Sequence, residues 1–64
     1  MKIEFSTDNA AFCDPNTGEE DIVYKAIECA KILKQIEFFV NCHYSSGTIT
    51  DSNGNEIGFW DINM

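Results

Sequence analysis

The sequence predicts an α+β fold in the order β-α-β-β, a three-stranded, mostly antiparallel sheet packed on one helix. Three observations predict it. Met1, Ile3 and Phe5 alternate with Lys2 and Glu4, the period of a half-buried strand. A long central run repeats apolar residues every three or four positions, the period of a helix with one buried face. Near the end, Asn53-Gly54 separates two strand-like segments, and Asn-Gly is the strongest short hairpin signal. A chain of 64 residues leaves room for one domain, residues 1–64. Such a domain buries only about 60% of the surface of its unfolded chain, so every large apolar side chain counts.

The first strand is expected over residues 2–6. The polar stretch from Thr7 to Gly18 then reads as a loop, with turn chemistry at Asp14-Pro15-Asn16 and Phe12 tucked back on the core. The helix is expected over residues 18–41. Thr17-Gly18-Glu19-Glu20 matches a capping box, with Thr17 as N-cap and Glu20 three positions on. Glu19, Glu20 and Asp21 would then lie in the first turn, where the positive helix end favours carboxylates. Ile22, Ala26, Cys29, Leu33, Ile36 and Val40 step by four and three, which assigns them to the core face, flanked by Ile32 and Phe39. Tyr24, Ile27, Lys31, Lys34 and Phe38 form a second stripe on the outward side. It is more apolar than a solvated face needs, and it predicts either a partner contact or cover by the loop from Thr7 to Pro15.

The hairpin is expected over residues 47–62, turning at Ser52-Asn53-Gly54-Asn55. Ile57 and Phe59 share one parity, Trp60 and Ile62 the other. Either both faces of this strand are covered, or a bulge at Gly58 turns Trp60 and Ile62 inward and leaves Phe59 outward; the bulge is favoured. The uncovered sheet face would carry Lys2, Glu4, Thr48, Thr50 and Phe59.

Little in the chain reads as reaction chemistry. Its single histidine, His43, adjoins Cys42, and adjacent side chains point apart in strand and helix alike, which disfavours a Cys-His pair. Asp51-x-Asn53-x-Asn55 has the spacing that opens a calcium loop. However, Glu56 stands where the sharp-turn glycine is needed and Ile62 where the bidentate Glu is needed, so a hairpin turn is the better reading. Cys13, Cys29 and Cys42 lack the spacing of a zinc site or a disulfide framework. The expectation is a protein that is not an enzyme and holds no cofactor or metal. No run reaches the roughly 18 apolar residues of a membrane span. The opening residues lack the apolar core of a signal peptide, so a cytoplasmic location is expected.

Charge points to the kind of partner. Eleven Asp and Glu face four Lys and no Arg, for a net charge of −7. Direct nucleic-acid binding and anionic membrane binding need a basic footprint and are disfavoured. A protein partner with a basic surface fits, and so does the plainer reading that the charge keeps a small domain in solution. Asp8, Asp14, Glu19, Glu20 and Asp21 fall within fourteen residues and could mimic a phosphate ridge. Tyr24, Ile27, Phe38 and Phe59 are the candidate apolar anchors.

The opening Met1-Lys2-Ile3-Glu4-Phe5-Ser6-Thr7-Asp8-Asn9-Ala10-Ala11-Phe12 and the closing Gly47-Thr48-Ile49-Thr50-Asp51-Ser52-Asn53-Gly54-Asn55-Glu56-Ile57-Gly58-Phe59-Trp60 resemble small acidic proteins encoded by phages and prophages of Gram-positive bacteria. The resemblance carries no assigned functional residues. It implies an accessory protein, of the size and charge of anti-CRISPR and other anti-defence inhibitors, acting by occluding host machinery that defends the cell or handles nucleic acid. Two rival expectations stand beside it. One is a self-associating structural or assembly protein, a homodimer through the outward helix stripe or the open sheet face. The other is a small-ligand, nucleotide-sequestering protein with a pocket between subunits.

Overall fold

A computed structural model describes residues 1–64. Its elements are β1 (Lys2–Phe5), a 3-10 turn (Ala10–Phe12), α1 (Ile22–Asn41), β2 (Ser46–Thr50) and β3 (Glu56–Asp61). The sheet order is β1-β3-β2, and β3 pairs antiparallel with both neighbours. The fold is the small α+β domain that the sequence predicts, with an open sheet and one helix.

Cross-strand register assigns the two sheet faces. Ile3, Trp60 and Gly47 share one row, and Phe5, Gly58 and Ile49 another. These rows face the core, where Trp60, Ile49, Phe12 and Ile32 are fully buried and Ile36 nearly so. Phe12, delivered by the 3-10 turn, stacks on Phe5 with ring centroids 6.4 Å apart. The intervening rows, Lys2-Asp61-Ser46 and Glu4-Phe59-Thr48, form the open face.

The strand parity conflict is resolved by a bulge, one residue earlier than expected. Gly58 pairs with Ile49 and Glu56 with Thr50, so Ile57 is the extra residue. Ile57 and Trp60 therefore both reach the core, and Phe59 turns outward. Ile62 does not turn inward; it lies beyond β3 and is exposed. Thr50 leaves the open face as well. After the bulge its backbone and hydroxyl bond the Gln35 side chain on α1.

The helix begins at Ile22, four residues later than expected, and Thr17 is not its cap. Gly18 takes φ +73°, outside the helical region, and Glu20 forms an isolated antiparallel bridge with Cys13. Both commit residues 17–20 to a turn. Asp21 is the N-cap instead: it is extended, and its carboxylate accepts from the Val23 N–H at 2.8 Å. Glu19, Glu20 and Asp21 thus precede the helix, and its first turn holds no acid. The helix ends with His43 at φ +68°. The His43 N–H bonds Val40 O and the Tyr44 N–H bonds Phe39 O, with the Phe39 and Tyr44 rings 5.3 Å apart. That is a Schellman motif complete with its apolar contact.

The buried face of α1 is rotated from the expected stripe by about one residue, or roughly 100°. Ile22 is 78% exposed and Leu33 55%, and Ala26 is exposed. Ile36 is buried and Cys29 and Val40 pack against the core, as expected, but Glu28 and the flanking Ile32 are buried where Ile22, Ala26 and Leu33 are not, with Gln35 and Phe39 half-buried beside them. Two polar side chains set the rotation. Gln35 bonds Thr50, while the Glu28 carboxylate, 3% exposed, accepts from both the N–H and the hydroxyl of Ser52. A buried carboxylate with two donors loses far less than one without partners, so the apolar count alone does not choose the face.

Candidate partner interface

The fold divides the nine candidate binding residues among three separate surfaces. Asp8, Asp14, Glu19, Glu20 and Asp21 gather on the segment that leads into α1. Ile27 and Phe38 lie on the outer face of α1, 48% and 62% exposed, so the loop from Thr7 to Pro15 does not cover them. Tyr24, near the start of the same stripe, is half-buried. Phe59 sits on the open sheet face, with the Lys2 ammonium 5.7 Å from its ring centroid and 3.5 Å from Glu4. The sheet's core-facing side lies between Phe59 and α1, so Phe59 cannot share one flat contact with Ile27 and Phe38.

Residues 13–20 of the acidic segment form a closed loop, with Asp8 and Asp21 outside it. Asp14 N–H bonds Glu19 O at 2.9 Å and Gly18 N–H bonds Asp14 O at 2.8 Å, both inside the Cys13–Glu20 bridge. Thr17 Oγ1 accepts from the Glu19 N–H. The five carboxylates then differ in what they do. Asp14 accepts from the Asn16 N–H, Asp21 caps the helix, and Glu20 pairs with Lys25 at 3.3 Å. The side chains of Asp8 and Glu19 are exposed and bond nothing in the chain.

The hairpin turn is organised by Asp51, a residue that the sequence marked only by its spacing. One carboxylate oxygen accepts from the Asn53 and Asn55 N–H groups, each at 2.9 Å. The other accepts from the side-chain amides of Asn9 and Asn55. Four N–H donors occupy the oxygens that a calcium loop would turn on its ion. The Asn55 N–H, above all, holds this carboxyl below its ordinary value of 3.8, while burial pushes the other way. The bond from Asn9 also ties the hairpin to the loop before Phe12. The sequence did not single out Glu28, Gln35 or Asn9; the signal for Glu28 is its spacing of four and eight from Ile32 and Ile36.

No helix is long and apolar enough to cross a membrane. No family model, curated protein or solved structure matches the chain.

Proposed function

We propose that this chain is a protein-binding module whose acidic loop docks on a basic surface of a partner protein and acts by occlusion, without catalysis. The closed loop of residues 13–20 supports the reading. A loop already tied across its base loses less conformational freedom on binding than a free segment would. Opposite charge then speeds encounter and sets specificity. The resemblance to small acidic phage proteins extends the proposal. The partner is host-defence or nucleic-acid-handling machinery in the cytoplasm of a bacterial cell, where a channel built for phosphates offers the basic surface.

Asp8 and Glu19 are the residues to reverse, because neither supports the fold. Reversing Asp21 would remove the helix cap and confound the result. On immobilised hexa-arginine as the basic probe, Asp8→Lys with Glu19→Lys should lower the association rate about tenfold and flatten its salt dependence. An unchanged rate and salt dependence would remove the electrostatic part of the proposal.

A further inference from the structure

We propose that Asn53 is a site of spontaneous deamidation, held back while the Asp51 turn is closed, and that its isoaspartyl product releases the hairpin from α1. The inference is independent of the acidic docking site and concerns a different part of the chain.

The reaction needs a free side-chain amide and an unshielded backbone nitrogen after it. Asn53 is exposed, and its side-chain amide bonds nothing in the chain. Gly54 follows at φ +82°, and no atom beyond its chain neighbours lies within 4 Å of where a Cβ would stand. Each of the five other asparagines precedes a residue with a side chain, which crowds the attacking nitrogen. Asn9 and Asn55 also donate their side-chain amides to Asp51.

The chemistry balances with water alone. The Gly54 backbone nitrogen loses its proton and attacks Asn53 Cγ. A nitrogen–carbon bond forms, the Cγ–Nδ2 bond breaks, and the amide nitrogen takes up a proton and leaves as ammonia. The succinimide that remains adds one water at either carbonyl. Opening at the side-chain carbonyl gives aspartate. Opening at the main-chain carbonyl gives isoaspartate, whose backbone runs through Cγ and is one methylene longer. Either product adds one negative charge to the net −7.

The fold acts on the first step. The Gly54 N–H donates to Asp51 O at 3.1 Å, so the proton that must leave is held in the turn. The Asp51 carboxylate closes the same turn, accepting from the Asn53 and Asn55 N–H groups at 2.9 Å each. Attack therefore waits on local opening of the turn. The product acts back on the fold. Its extra methylene stands between the Asn53 and Asn55 donors, so one carboxylate oxygen of Asp51 no longer reaches both. Ser52, inside this turn, donates its N–H and its hydroxyl to the buried Glu28 carboxylate. Displacing Ser52 leaves Glu28 without the donors that its burial requires.

The test follows the full chain in mildly alkaline buffer with reductant, folded and in guanidinium, by peptide mass spectrometry that tells isoaspartate from aspartate. Unfolded, position 53 should convert ahead of the other asparagines, and to both products. Folded, it should convert about tenfold more slowly, because opening the turn breaks at least one hydrogen bond. Asp51→Ala should bring the folded rate toward the unfolded one, and Asn53→Gln should abolish the early conversion. The isoaspartyl form, separated by its added charge, should have a lower thermal midpoint than the parent chain. An unfolded chain in which Asn53 converts no sooner than Asn16 or Asn63 overturns the site. Equal rates folded and unfolded overturn the restraint by the Asp51 turn. An isoaspartyl form with an unchanged thermal midpoint overturns the release of the hairpin.

Discussion

At the residue scale, Gly58 is the position with no room to change. A Cβ there would overlap the Glu4 carbonyl oxygen and stand 2.5 Å from Phe5 Cα. Both are backbone atoms of the paired strand, so no side chain can swing aside. Overpacking a core costs about 1–3 kcal/mol, and a clash with backbone belongs at the upper end. Gly58→Ala should therefore cost about 3 kcal/mol in urea unfolding, a large share of what a domain this small has. Asp51 contributes to acid sensitivity in the same local way. Its carboxyl is held below 3.8 in the fold, so its contribution is fully present above that unfolded value. The contribution is lost as pH falls below 3.8 through the lower native value. Asp51→Asn should therefore flatten the fall in thermal midpoint over that acid range, measured by circular dichroism.

At the scale of elements, the start of α1 separates two candidate caps. Asp21 accepts the Val23 N–H, whereas Thr17 belongs to the preceding turn. Removing an N-cap costs about 1 kcal/mol. Asp21→Ala should lower the unfolding free energy by about that amount and Thr17→Ala by a few tenths at most. The sequence motif Thr-x-x-Glu is genuine in spelling and misplaced in space. Gly18 leaves the helical region, and the Cys13–Glu20 bridge gives Glu20 a backbone partner outside any helix. The rotation of α1 has a similar origin. An apolar count favours Ile22, Ala26 and Leu33, but only the rotated face brings Glu28 to Ser52 and Gln35 to Thr50. What remains outward is Ile22, Ile27, Leu33 and Phe38, an apolar surface enlarged by the polar bonds within.

At the scale of the whole molecule, the net charge of −7 governs encounter with any charged partner. The Debye length falls from about 30 Å at 0.01 M salt to about 8 Å at 0.15 M. Docking of the acidic loop on a basic surface should therefore weaken over that range, read as the association rate on immobilised hexa-arginine.

The sequence by itself determined the α+β class and the order of elements. It also determined the hairpin at Asn53-Gly54 and the burial of Phe12. Each follows from local periodicity, turn chemistry or parity, which act over a few residues. It also determined which acidic residues crowd together, since that is a matter of spacing. Only the tertiary structure decided where α1 starts, which of its faces is buried and which carboxylates are free. Those outcomes rest on bonds between residues far apart in the chain: Glu28 to Ser52, Gln35 to Thr50 and Asn9 to Asp51. A buried polar group must find a partner wherever the fold supplies one, and no local pattern records which partner that is.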